Sequence, residues 1–287
     1  MAPPTHFKLN TGALIPAVGL GEVARAVAFA LKNGYRHIDA ALIYGNENEV
    51  GQGIRDSGVP RKDIFITSKL WNTHHPNVKE GLQKTLDSLG TDYLDLYSPA
   101  RLTSAMQNET SELLPNETWR QMEEVYKAGM VKAVGLANWS IPYLEELRKT
   151  WTVVPAVNQV ELHPFLPQHE LREYCDKLGI LLEAYSPLGS TGAPIMSDPE
   201  IQQIADKNGV SAATILISYH VNKGVVVLPK SVSEKRIASN REVISLSKED
   251  LYVLDSMAAA GKAKRLNTPL WGFDLGFADW YGPVKSQ

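Results

Sequence analysis

The stretch Gly34-Tyr35-Arg36-His37-Ile38-Asp39-Ala40-Ala41-Leu42-Ile43-Tyr44-Gly45-Asn46-Glu47 decides how this chain reads. Tyr35 to Ile38 has the character of a short buried strand, and a helix is expected to begin at Asn46. Between them stand an acid, Asp39, and a phenol, Tyr44. In a β/α repeat, the loop after a strand's carboxyl end is where chemistry is housed. A second strand, Phe65-Ile66-Thr67-Ser68, runs out at Lys69. Neighbouring parallel strands would bring Asp39, Tyr44 and Lys69 into one hydrogen-bonded cluster. There the Lys69 ammonium would lower the phenol's pKa from its reference near ~10. That makes Tyr44 a candidate general acid for protonating a carbonyl oxygen.

Working outward, the same beat of apolar strand and amphipathic helix repeats. Strands are expected at Ala17–Leu20, Tyr35–Ile38, Ile64–Ser68, Tyr93–Tyr97, Ala133–Leu136, Ala156–Val160, Leu181–Ala184 and Val225–Leu228. Helices are expected at Glu22–Asn33, Asn46–Ser57, Asn77–Leu89, Glu117–Ala128, Ile141–Thr150, Gln168–Leu178, Asp198–Lys207, Ala212–Asn222, Glu234–Asn240 and Lys248–Ala259. Alternation argues for a parallel sheet, and eight beats argue for closure into an α/β (β/α)8 barrel, the TIM barrel. A small hairpin, Phe7 to Pro16 with Gly12 in its turn, precedes the repeats, and an aromatic-rich tail follows them. With no linker or low-complexity tract, residues 1–287 read as one domain.

Composition narrows the function classes. The 287 residues are 44% hydrophobic with a formal net charge of -3 and no basic run, which gives no footing for a nucleic-acid partner. The N-terminal residues lack a basic segment followed by an apolar one, and no apolar stretch is long enough for a bilayer. The single cysteine, Cys175, fits a reducing compartment and reads as a buried structural thiol. The expectation is a cytoplasmic protein without metal, since no His/Asp/Glu group has ligand spacing. There is no G-x-G-x-x-G after a strand, so a Rossmann site is not expected.

Three further motifs bear on a cofactor. Leu228-Pro229-Lys230-Ser231-Val232-Ser233-Glu234-Lys235-Arg236-Ile237-Ala238-Ser239-Asn240 puts a Lys after a buried strand and an Arg in the first turn of a helix. Such an Arg can hold a phosphate bidentately, beside the positive end of the helix. Glu183-Ala184-Tyr185-Ser186-Pro187-Leu188-Gly189-Ser190 ends another strand, where a tyrosine can stack on a flat ring. Asn138 and Gln159 put amides, which can both donate and accept, at the ends of two more strands.

Together these motifs resemble the aldo-keto reductase family, over about Phe7 to Tyr281, and within it the fungal glycerol and sugar-alcohol dehydrogenase branch. The resemblance implies a barrel plugged at its bottom by the hairpin and overhung at its mouth by the tail. It implies NADPH or NADP+ as cofactor and a small carbonyl compound or polyol as substrate, reduced by hydride with Tyr44 supplying the proton, Lys69 tuning it and Asp39 holding Lys69. Asn138, Gln159 and Tyr185 would hold the nicotinamide, Ser186, Leu188 and Ser190 the pyrophosphate, and Lys230, Ser231, Arg236 and Asn240 the adenosine 2'-phosphate. Trp271 would meet the substrate, and the protein would be a monomer or weak dimer.

The sequence also departs from the family. A Thr-Trp and short loop after Gly21 are absent, and Glu22 is expected to open a helix at once. The family's His-Trp-Pro after the strand at Tyr97 is replaced by Ser98-Pro99-Ala100-Arg101, so the orienting histidine is gone and the strand is expected to end short. Leu113-Leu114-Pro115 runs directly into Asn116 where relatives have a longer loop. Where the family often has an acid, this chain has Ser239, and where it commonly has Ser, Ala137. His74 and His75 are not expected to replace the lost histidine, and His163 reads as structural. Three readings fit: a remodelled enzyme, a nucleotide-binding pseudoenzyme or regulatory subunit, and a chain missing short coding segments.

Overall fold

The computed structural model describes residues 2–21, 24–99, 115–190, 192–268 and 275–280. It begins with an antiparallel pair, β1 (His6–Lys8) and β2 (Leu14–Pro16), with Phe7 opposite Ile15. The turn closes where the Gly12 N–H donates to the Leu9 carbonyl, and Gly12 takes φ 88, a conformation that costs a residue without Cβ little.

Eight parallel strands follow: β3 (Leu20–Gly21), β4 (His37–Asp39), β5 (Phe65–Leu70), β6 (Leu96–Pro99), β7 (Leu136–Ala137), β8 (Val157–Glu161), β9 (Leu181–Tyr185) and β10 (Val226–Leu228). They form two four-stranded runs, β3-β4-β5-β6 and β7-β8-β9-β10. Bridges at Leu94 to Val131 and Tyr97 to Val134 join the runs on one side. Bridges at Val18 to Val227 and Gly21 to Lys230 join them on the other, so the sheet closes on itself. This is the expected (β/α)8 barrel.

Ten α-helices lie among the described residues: α1 (Ala24–Lys32), α2 (Glu47–Ser57), α3 (Val78–Leu89), α4 (Pro115–Lys127), α5 (Ile141–Arg148), α6 (His169–Leu178), α7 (Pro199–Asn208), α8 (Ala212–Asn222), α9 (Glu234–Ser239) and α10 (Lys248–Ser256). Side-chain caps start several of them. Asn77 accepts from the Glu80 N–H, Ser211 from that of Thr214 and Ser247 from that of Asp250. Helix α8 is apolar nearly all round, and its Ile215, Leu216, Ile217, Tyr219 and Val221 are all buried. Such a helix needs cover on more than one face. It has the barrel on one side, where Ile217 and Val221 pack with Val227, and α7 and α10 on the other, where Ile215 and Leu216 pack with Ile201 and Leu254.

The bottom of the barrel is filled by the hairpin. Leu9 and Ile15 pack against Phe65, Leu96, Val157 and Val226, the first residues of four strands. Sealing that end leaves the carboxyl ends of the strands open for a site.

All the barrel strands except β9 begin later than the hydrophobic pattern suggests. Tyr35 and Arg36 precede β4, because Tyr35 packs outward and donates its hydroxyl to the Ile237 carbonyl at 3.1 Å. Apolar character marks burial on either side of the sheet, and the ladder starts only where a neighbour is in register. The expected shortening of the strand at Tyr97 is corrected: β6 runs on to Pro99, opposite Leu70 of β5. Helix α1 begins at Ala24, and Glu22 lies outside the described residues. The last expected helix stops at Ser256 and passes into a wider turn, Ala258–Lys262, where Gly261 at φ 94 ends it.

Candidate active site

Asp39 is the last residue of β4, and Lys69 lies near the end of β5. Asp39 is in register with Thr67, so Lys69, two residues on, projects to the same side of the sheet. The Lys69 Nζ donates to both carboxylate oxygens of Asp39 at 2.7 Å and to the Ala40 carbonyl at 3.1 Å. The side chains are 11% and 7% exposed. Burial pulls Lys69 toward its neutral form, but the charge of Asp39 and coupling to Tyr44 outweigh it, and its pKa is raised. Lys69 is therefore a permanent cation at neutral pH.

Tyr44 ends a 3-10 turn, Leu42–Tyr44, that lifts it to the rim, where it is 49% exposed. The turn closes on Gly45, at φ 68, whose N–H donates to the Leu42 carbonyl. Asp39, Lys69 and Tyr44 all line one open cavity of about 1210 Å³. The structure thus brings the three residues to one cavity and hydrogen-bonds two of them, Asp39 and Lys69.

The same cavity extends past Asn138, Gln159 and Tyr185 to Ser186, Leu188 and Ser190, and it reaches Lys230. Asn138, Ser186 and Ser190 hold left-handed backbones, at φ 62, 51 and 61. Strain of that kind in non-glycine residues gathers at functional sites. The Asn138 Oδ1 is buried without a hydrogen-bond partner, and its backbone N–H donates to the Gln159 carbonyl at 2.8 Å. An orphaned amide oxygen in a cavity wall is a place for a ligand's donor. The wall therefore offers an acceptor to a donor group of a bound ligand.

The other cofactor candidates stand apart from this lining. Ser231 is buried, with its hydroxyl accepting from the Ser233 N–H at 3.1 Å, Asn240 is buried beyond the end of α9, and Arg236 projects from α9 into solvent. Lys230 is the member that reaches the cavity. Its Nζ sits 5.9 Å from the centroid of the Tyr44 ring, so its flexible stem carries the charge to the rim where Tyr44 stands.

Four contributors were not assigned from sequence. Trp71 lines the cavity after β5, and Asn267 and Trp280 line it from the tail. Asn267 accepts from the Ser190 hydroxyl at 2.8 Å and donates to that of Ser186 at 3.1 Å. Glu161, at the end of β8, accepts from the backbone N–H groups of Leu266 and Asn267. The tail is thus tied to the loop after β9, and it does overhang the mouth; Trp271 lies outside the described residues. The fourth is Glu183, wholly buried on β9, where Gln159 donates to it at 3.1 Å.

No histidine among the described residues lines the cavity. His74 pairs with Lys84 and Thr73, His75 is buried with Thr118, and His163 holds Glu161. His37 lies behind the site, bonded to Thr67, with its pKa lowered to about 4, chiefly by burial. Ala100 and Arg101 at the second departure, and Leu113 and Leu114 at the third, lie outside the described residues.

A model of the aldo/keto reductase family matches residues 17–259. The chain belongs to this family. It is 45% identical over 304 residues to the D-galacturonate reductase of Hypocrea jecorina, covering 96% of this chain and 98% of that one. It is 46% identical over 294 residues to the glycerol 2-dehydrogenase (NADP(+)) of Saccharomyces cerevisiae, covering 92% and 94%. Among solved structures, MGS-M4, an aldo-keto reductase enzyme from a Medee basin deep-sea metagenome library, superposes with a TM-score of 0.85 at 37% identity, covering 94% of this chain and 99% of that one. The first of these alignments is longer than the chain of this aldo/keto reductase, so it opens gaps in the sequence.

Proposed function

We propose that this aldo/keto reductase uses NADPH to reduce the carbonyl of small aldehydes, ketoses or sugar derivatives to alcohols, and NADP+ to oxidise polyols in reverse. The observation that carries the reading is the buried Asp39–Lys69 pair, which lines with Tyr44 an open cavity of about 1210 Å³. When bound, the cofactor supplies the hydride that reduces the carbonyl carbon.

The chain's own residues do the rest. Tyr44 gives its proton to the carbonyl oxygen, which leaves a phenolate. Lys69 stabilises that phenolate as a neighbouring cation, and Asp39 fixes Lys69 by two hydrogen bonds. In oxidation the phenolate takes the proton back from the alcohol. Asn138 and Gln159 hold the carboxamide and Tyr185 backs the ring. Ser186, Leu188 and Ser190 hold the pyrophosphate, with Lys230, Ser231, Arg236 and Asn240 at the 2'-phosphate. Trp71 and Trp280 wall the substrate end, and Trp271 is assigned to the substrate by resemblance. Proton donation of this kind is worth about 10²–10⁴-fold, so losing the family's orienting histidine lowers turnover without removing the acid.

Residues 1–287 act in this reading as one domain. The protein is cytoplasmic, a monomer or weak dimer, and takes no nucleic acid. Its one cysteine, Cys175, is buried with its thiol pKa pushed up to about 12, first by burial, as suits a compartment where thiols are not crosslinked. Among the described residues no helix is long and apolar enough to cross a membrane.

The test is NADPH absorbance with a panel of small aldehydes and ketoses, glyceraldehyde included. Turnover should fall by at least a hundredfold in Tyr44→Phe while NADPH binding is kept. Unchanged turnover in Tyr44→Phe would overturn the mechanism. NADPH binding with no turnover on any carbonyl would favour the pseudoenzyme reading instead, for which nothing in the preserved cluster speaks.

A further inference from the structure

Glu183 faces Gln159 directly across the β8–β9 ladder, and the chemistry above gives it no work. It is wholly buried, in a strand whose other residues are apolar apart from Tyr185. A carboxyl in that position needs a reason.

The reason lies in what its neighbour can offer. The Gln159 Nε2 donates to the Asp39 Oδ1 at 2.9 Å and to the Glu183 Oε2 at 3.1 Å. Both amide hydrogens are then committed. A side-chain amide in that state has only its carbonyl oxygen left for a molecule in the cavity. Turning the amide over would press that oxygen against two carboxyl groups, so Asp39 and Glu183 together fix which end of Gln159 the cavity meets. Asp39 alone would not, because it is also held by Lys69 and sits on one side only.

Glu183 also has unfinished hydrogen bonding. Its Oε1 is buried without a partner. The charged groups that reach it are Asp39 from β4 and Lys69 from β5, while β10 on its other side presents Val226 to Leu228. Burial, then Asp39, raises its pKa to about 8, against the pull of Gln159 and Lys69. The group can thus carry either charge state near neutrality.

We propose that Glu183 is a positioning residue that locks Gln159 with its oxygen toward the nicotinamide carboxamide, and that its charge sets the balance between the two redox forms of the cofactor. The inference rests on the functional reading above. With Glu183 neutral, the buried layer it shares with Gln159 and Asp39 holds one carboxylate, that of Asp39, matched by Lys69. With Glu183 ionised it holds a second, which favours the positively charged ring of NADP+ over neutral NADPH.

The experiment measures dissociation constants of NADPH and NADP+ by tryptophan quenching from pH 6 to 9, for the wild type, Glu183→Gln and Glu183→Leu, with melting temperatures alongside. The ratio of the two constants cancels the titration of the 2'-phosphate, which both forms share. In the wild type the ratio should move toward NADP+ by about tenfold as pH rises, the scale of one charge acting at an effective dielectric near ~20. Glu183→Gln keeps an acceptor for Gln159 and loses the charge, so it should bind both forms with a flat ratio. Glu183→Leu should weaken both by about tenfold, as Gln159 is freed to turn. A Glu183→Gln ratio that follows the wild type overturns the inference, and so does tight binding of both forms by a folded Glu183→Leu. Should Glu183→Leu fail to fold, the Glu183→Gln ratio alone decides. A wild type that binds neither form overturns the functional reading and this inference with it, whereas an unaltered ratio in Glu183→Gln overturns this inference alone.

Discussion

Cutting the Asp39–Lys69 pair from one side, in Lys69→Met, should cost far more than replacing both partners. The pair is 11% and 7% exposed and is made through two 2.7 Å contacts. Unit charges about 4 Å apart attract by ~4 kcal/mol at an effective dielectric near ~20. Removing one member of a buried pair leaves the other charged and unmatched, at about 3–5 kcal/mol. Lys69→Met leaves Asp39 with only the Gln159 N–H, and Asp39→Asn leaves Lys69 with the Ala40 carbonyl and a neutral amide. The expected losses are about 4 kcal/mol for Lys69→Met and ~3 kcal/mol for Asp39→Asn, with the double variant near ~2 kcal/mol, because neutral groups of similar volume replace a buried pair at little cost. Urea unfolding of the four proteins gives the cycle directly, read as the midpoint at constant m. A coupling of at least ~2 kcal/mol supports the account, while both single variants and the double should be catalytically poor. Additive losses, or singles each below about 1 kcal/mol, would show the pair to be screened like a surface contact, and the argument that Lys69 is a fixed cation beside Tyr44 would fail.

Stability should also fall with rising pH through Glu183. Its carboxyl is raised from 4.5 to about 8, so between those values the folded protein holds a proton that the unfolded chain has released. The penalty is absent below about pH 4.5 and complete above about 8. At ~1.4 kcal/mol per pH unit it reaches a few kcal/mol, shared with Asp39 and Lys69; Glu183→Gln should therefore gain several degrees in melting temperature over the wild type at pH 9 compared with pH 5, and a constant difference would count against the buried acid. Lys230→Met should weaken NADPH about tenfold with little effect on NADH, and should flatten the salt dependence of NADPH binding; equal loss for both cofactors would place Lys230 with the substrate rim and not the phosphate. Asn267→Ala cuts the link from the tail to Ser186 and Ser190, so it should weaken NADPH several-fold with a melting temperature within about 2 °C of wild type, the scale of one partly exposed hydrogen-bonded side chain; an unchanged cofactor affinity would show the tail to be independent of the loop.

What could be read from the sequence divides by the kind of constraint involved. Barrel strands and helices repeat because burial repeats, and a strand's end is where the apolar run meets a polar residue; that marks where Asp39 and Lys69 stand, while Asn138 and Tyr185 took their roles from the resemblance. The register of those strands could not be read, since Tyr35 is buried outward against the Ile237 turn and looks the same in sequence as a residue buried inward. The tail was harder still. Its conformation is set by particular clasps and not by a period: Arg265 is buried, gripped by Asp279 and laid against the rings of Phe277 and Trp280. Nothing in the spacing of Trp271 and Trp280 says which ring such a clasp will turn toward the cavity.

Glu183 shows the opposite case, a signal that was present and not used. A strand buried on both faces tolerates an acid only when something there needs it. Leu181, Leu182 and Ala184 around it make the exception visible without any structure. The structure adds the other half of the argument, that Gln159 has just two hydrogens and two carboxyl groups claim them. On the proposal above, the residue named from sequence as a cofactor ligand owes its orientation to one that was passed over, since hydrogen bonds run from Lys69 through Asp39 and Gln159 to Glu183.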